Sequence, residues 1–229
     1  MVRNGGIEGR AGDRAARREA GRVVLRALAL EARGSPGAAF VRRRAEREVE
    51  RLGPSEERRR LTKLLATSPG EACVRSKLLA AHAAELEREG RLAEASAALI
   101  VARRLDRDSP DLVLRAARLA RLSGRVGRAR RLYARVRALD GGAGRWARLA
   151  AVGEALVSSD PNEALTEAIQ AAVRAGDDAA AAVGLQERAA LARATGDGAG
   201  AARDRCVAAF HLARVANTVV PGKAVSHLG

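Results

Sequence analysis

The sequence predicts an all-α protein of short antiparallel helical hairpins, and three observations predict it. The residues that dominate, Ala, Leu, Arg and Glu, are the strongest helix formers, while β-branched clusters and period-two alternation are scarce. Glycine and proline punctuation cuts the chain into pieces of helix length, which short connections must fold back antiparallel. Finally, the stretch EGRLAEASAALIVARRLD (89–106) returns loosely as SGRVGRARRLYARVRALD (123–140), 34 residues later.

Taken in order, the first element is a basic helix over roughly 8–32 with an apolar stripe at Ala16, Ala20, Val24 and Leu28, each four residues apart. GSPG (34–37) ends it. LGPSEE (52–57) breaks the next, with Pro54 expected in a first helical turn. ATSPGEA (66–72) opens another, with Ser68 the expected N-cap before Pro69. Gly90, DRDSPD (106–111), Gly124, DGGAG (140–144), SSDPNE (158–163), AGDD (175–178) and GDGAG (196–200) mark the later joints. Aromatic residues are only 2% of the chain, namely Phe40, Tyr133, Trp146 and Phe210, so the core must be built from Leu, Val and Ala. Such small side chains suit helices that approach closely.

At an offset of 34 the two similar stretches match at Gly90/Gly124, Arg91/Arg125, Ala95/Ala129, Arg103/Arg137, Leu105/Leu139 and Asp106/Asp140. The Gly and Leu-Asp pairs fall at structural joints, where biased composition does not explain them. Gly lets the chain turn with positive φ, and Ala95 and Ala129 fall where two hairpin helices come closest. A 34-residue helix-turn-helix period is that of the tetratricopeptide repeat, and over 76–143 the chain resembles that family. In 76–109, Leu79, Ala83 and Leu86 occupy the first-helix apolar sites, and Ala95, Leu99 and Ala102 the second-helix sites. In 110–143 the matching residues are Val113, Ala117, Ala120, Ala129, Tyr133 and Val136. The family's first-helix Trp and Gly are absent from both units, and Arg107 stands where a Pro is usual.

The resemblance implies a right-handed α-solenoid over 36–216, with weaker units at 37–70, 145–177 and 178–214. A basic helical segment (1–35) precedes it and a tail (217–229) follows. A non-repetitive helical bundle is the alternative, and it is equally all-α. The resemblance also implies a concave groove lined by first helices. Lys77, Ala80, Ala84, Glu87 and Arg88 would face it from one unit, and Asp111, Leu114, Arg118, Arg121 and Leu122 from the next. The Lys/Asn set with which some members grip a C-terminal carboxylate is not matched there.

Charge and chemistry narrow the function. The net charge is +15 and sits in the first two thirds: +8 over residues 1–70, +7 over 71–140 and zero over 141–229. From Leu112 to Leu139 there are nine arginines and no acid. Besides the two groove arginines these include Arg115, Arg125, Arg128, Arg131 and Arg135, a basic surface that is either a solvated face or a field for an anionic partner. GC-rich coding accounts for an Ala/Arg bias equally well. Cys73 and Cys206 are far apart, which points to a reducing, cytoplasmic compartment. The run VVLRALALEA (23–32) is too short and too charged to span a bilayer.

His82, His211 and His227 stand alone, His82 at an inward core position with its polar atoms satisfied. No phosphate loop, zinc motif or nucleophile elbow occurs, so no catalytic residue, metal site or cofactor is expected and the chain does not read as an enzyme. The reading is a non-catalytic scaffold binding an acidic or amphipathic protein segment through Lys77, Arg88, Leu114, Arg118, Arg121 and Leu122. The alternative is a binder of nucleic-acid backbone that uses the arginines of 112–139. Against it, single-strand binders stack bases on aromatics, and only Tyr133 lies in that stretch.

Overall fold

The computed structural model describes residues 5–67 and 72–219, with side chains over 12–67 and 72–217. The described residues form eleven α-helices and no strand, so the all-α expectation is met. The chain divides into two compact units, Met1–Ser123 and Gly124–Gly229. The division falls inside the expected repeat 110–143, whose two helices therefore belong to different units.

The first unit holds α1 (Gly5–Glu31), α2 (Ala38–Glu50), α3 (Glu56–Ala66), α4 (Ala72–Arg88), α5 (Leu92–Leu105) and α6 (Pro110–Leu122). The stripe on α1 buries Ala20, Val24 and Leu28 completely. Ala16, one turn earlier, is exposed because the shared core begins only at Ala20. On that core α2 packs chiefly against α1 and only lightly against α3. α3 starts at Glu56, two residues beyond Pro54, which the sequence placed in the first helical turn. Ser55 is its N-cap and accepts from the Arg58 amide at 3.2 Å, leaving Pro54 just outside the helix. A hydroxyl that fills a free N–H stabilises the start more than a proline that merely lacks one. Ser68 and Pro69 lie outside the described residues, as do His227 and the end of the expected tail.

α4 and α5 form the hairpin foreseen around Gly90. Gly90 has φ +74°, and two bonds close the helix end: the Arg91 amide donates to Leu86 O at 2.8 Å and the Gly90 amide to Glu87 O at 3.0 Å. This left-handed cap strains any residue with a Cβ. Leu79, Ala83, Leu86, Ala95, Leu99 and Ala102 are all buried, at the sites the repeat pattern assigns them.

An ionic cluster invisible in the sequence pins four segments together. Glu31, the last residue of α1, accepts from Arg42 of α2 and from Arg75 of α4, each at 2.8 Å. Arg42 also donates to Leu65 O, and Arg75, only 1% exposed, to Thr67 O. Two guanidinium groups thus supply donors to carbonyls at the end of α3, which no helical amide can reach. The carboxylate of Glu31 holds the Arg42 guanidinium above its ordinary pKa.

The second unit holds α7 (Val126–Leu139), α8 (Arg145–Ala155), α9 (Pro161–Arg174), α10 (Asp178–Ala194) and α11 (Gly198–Val219). Here close approach replaces bulk. A Cβ on Gly153 would fall 2.3 Å from the ring of buried Tyr133, and one on Gly184 would fall 2.6 Å from Ile169 Cγ1. Ala172, Ala180 and Ala181 form a fully buried cluster where α9 meets α10. Asp177 both closes the turn after α9 and caps α10, its carboxylate accepting from the Ala180 amide at 3.0 Å and from Arg148 at 2.8 Å. Arg188 clamps Asp204 of α11 with two bonds of 2.8 Å and reaches Thr166 of α9 at 3.0 Å.

Candidate interaction surface

The groove residues foreseen in the first unit lie on α4 and α6. α6 starts at Pro110, with Ser109 as N-cap accepting from the Leu112 amide at 3.5 Å. Its apolar face buries Leu112, Val113, Ala117, Leu119 and Ala120. What remains outside is mixed: Leu114 and Arg121 are half-buried, Arg118 is exposed, and Leu122 is 43% exposed. Arg118 Nε lies 3.2 Å from Glu87 Oε1 of α4, so two expected groove residues from successive first helices meet directly. Arg115 pairs with Asp111 within its own helix at 3.0 Å. Lys77 and Arg88 are exposed on α4, Arg88 against Glu85. Ala84 is half-buried.

One expected lining residue is not there. Ala80 is buried at 5% exposure instead of lining an open wall. α4 packs against both α3 and α5, and so needs a wide apolar arc that takes in Ser76, Leu79, Ala80 and Ala83.

The remaining arginines of the basic stretch belong to the second unit. Arg125 is at the N-cap position of α7, while Arg131 and Arg135 are exposed and Arg128 is half-buried. Among the described residues Arg125, Arg128 and Arg131 form no ion pair, and α7 has no acid in its first turn. A positive cluster at a helix N-terminus meets the dipole with the wrong sign, so the helix itself gains nothing from it. Two neighbours are structural instead. Arg130 donates to Val157 O at 3.1 Å through Nε, and Arg137 pairs with Glu154 at 3.2 Å.

His82 is 3% exposed, and burial holds its pKa down at about 4, helped by the nearby positive charges of Arg60 and Arg91. It is a core residue as expected, but not a satisfied one, since its Nδ1 is buried without a hydrogen-bond partner. The dense Leu/Ala packing around α4 leaves that nitrogen no donor or acceptor to meet. Hydrogen bonding to Glu94 and Glu89, with Glu57 beside them, raises the Arg91 pKa. His211 lies 2.7 Å from Asp178, which Arg214 also approaches at 3.4 Å. Both cysteines are exposed free thiols. Among the described residues no group of three or more His, Cys, Asp or Glu side chains could hold a metal ion, and no helix is long and apolar enough to cross a membrane.

Sequence reasoning missed a second surface, a groove between α1 and α5 with Leu25, Ile100, Arg26 and Arg104 among its walls. Its signal was weak: Leu25 lies next to the recognised stripe residue Val24, and Ile100 next to the buried Leu99. Compared with protein-family models, curated proteins and solved structures, the chain matches none.

Proposed function

We propose that this protein is a non-catalytic interaction scaffold of the tetratricopeptide-like kind. Its hairpins stack as a right-handed solenoid, and the α4/α6 face grips an acidic, partly apolar segment of another protein in the cytoplasm. The ion pair between Glu87 and Arg118 carries the reading, because it joins the two helices that the repeat pattern takes as successive first helices, the ones that line the inner wall of such a solenoid. The burial of every first- and second-helix packing site in 76–109 supports the same pattern. Leu114 and Leu122 offer the apolar contact, and Arg118 and Arg121 the charge that would meet carboxylates. Replacing Arg118 and Arg121 with Glu tests it. The double variant is expected to lose the partners that wild type captures from native lysate, and an unchanged set would remove this face from the account.

A second reading, binding to nucleic-acid backbone, is favoured by Arg125, Arg128 and Arg131, which form no ion pair among the described residues. Affinity measured across a salt series decides it. Binding that stays near the nonspecific level, about 10⁻⁴–10⁻⁶ M at physiological salt, ends that reading.

A further inference from the structure

The α1/α5 groove lies apart from the α4/α6 face and shares none of its residues. It is an open trough of about 760 Å³ within the first unit, walled by α1 from Ala15 to Ala29 and by α5 from Ala93 to Arg104. At 1.5 Å per residue the α1 wall runs about 20 Å, the length of a three- to four-turn helix. The floor is apolar: Leu25 and Val101 lie deep, at 7% and 4% exposure, while Ile100 stands in the wall at 38% and Ala97 is exposed beside it.

The charges around this floor are unbalanced. Four arginines rim it, Arg18, Arg22 and Arg26 from α1 and Arg104 from α5, against two acids, Glu19 and Glu94. Both acids are already engaged. Glu19 takes Arg22 at 2.6 Å and Arg44 at 3.6 Å, and its pKa is lowered chiefly by the Arg22 hydrogen bond. Glu94 takes two bonds from Arg91 at 3.0 and 2.6 Å, which leaves Arg18 at 4.0 Å from it. Arg26 and Arg104 have no acid among the described residues. The trough therefore offers leucine-sized apolar contact under a positive rim.

From this geometry we infer that the α1/α5 groove binds an acidic amphipathic helix of a partner protein, with its apolar face on Leu25, Ala97 and Ile100 and its carboxylates on Arg26 and Arg104. A helix laid in a groove between two helices matches the shape, and the charge sign selects the partner. Nucleic acid is disfavoured because the walls hold no aromatic residue on which a base could stack.

The test uses the full chain and a labelled synthetic helix of about 16 residues, with leucines at i, i+3/i+4 and i+7 and glutamates elsewhere. Anisotropy is expected to show binding about tenfold tighter than for a scrambled peptide of the same composition. I100E and, separately, R26E/R104E are each expected to weaken it about tenfold. The R118E/R121E variant is expected to bind as wild type does, which separates this groove from the α4/α6 face. Ile100 is partly exposed and the two arginines are on the rim, so neither variant disturbs the core. Equal binding of the scrambled peptide overturns the inference. So does wild-type affinity in both groove variants, loss of binding in R118E/R121E, or displacement of the peptide by a short single-stranded oligonucleotide at lower concentration.

Discussion

The two units of this chain close their cores by different means. The first, up to Ser123, fills its interior with leucines and valines and then inserts charge: Arg75 is buried at 1% exposure and paired with Glu31. The second, from Gly124 on, buries no arginine among its described residues, and its buried His211 and Asp204 are each paired with a side chain nearer the surface. It relies on glycine and alanine to let helices touch, as at Gly153 under Tyr133, and keeps its Arg188–Asp204 clamp nearer the surface. A chain with almost no aromatics has two ways to avoid voids. It can bring long side chains in with their partners, or it can bring backbones together.

The sharpest way to break this contrast is Glu31→Ala. It leaves the Arg75 guanidinium buried with only Thr67 O to meet it, and removing one member of a buried pair costs about 3–5 kcal/mol. Chemical denaturation should read that loss, and hydrogen exchange should place it in helices α1–α4. Loss spread equally over α7–α11 would mean that the units do not differ as described.

Next in size is the pH dependence of the first unit. His82 has its pKa lowered from 6.5 to about 4 in the folded chain, so the unfolded chain binds the proton more tightly. The stability tied to neutral His82 is full above pH 6.5 and is lost as pH falls from there through about 4, by at most ~3 kcal/mol. His82→Leu should flatten that stretch of the stability–pH curve without a loss at pH 7, since the buried Nδ1 has no hydrogen bond to give up. An unaltered slope would assign the acid sensitivity to the carboxylates.

The smallest effects test the second unit. Gly153→Ala drives a methyl into the Tyr133 ring and should cost about 1–3 kcal/mol. Gly127→Ala, on α7 with nothing within 4 Å of its added Cβ, should instead stabilise by about 0.5 kcal/mol. If both glycines tolerate alanine equally, close approach is not what holds these helices.

The hairpin of α4 and α5 was legible because its instructions are local. Gly90 can turn where other residues strain, and the apolar residues on either side recur with the helical period. Helix caps were legible to within a residue or two, and Ser55 displaced Pro54 because a side-chain acceptor outweighs a preset φ. Of the expected surface, Lys77, Arg88, Arg118 and Leu122 are exposed on α4 and α6. Ala80 is not, since its fate depends on α3 as well as α5. The α1/α5 groove lay beyond local reading because its walls are separated by more than sixty residues.

By itself the sequence determined that the chain is helical, where most helices begin and end, and which face of each is apolar. Propensity, punctuation and period act within a few residues, so they can be read in a line. Only the tertiary structure decided which arginines are buried and which are free, because that depends on carboxylates and carbonyls brought from distant helices. Arg75 and Arg26 look alike in sequence. One is enclosed by Glu31 and the end of α3, and the other is left at the rim of an open groove.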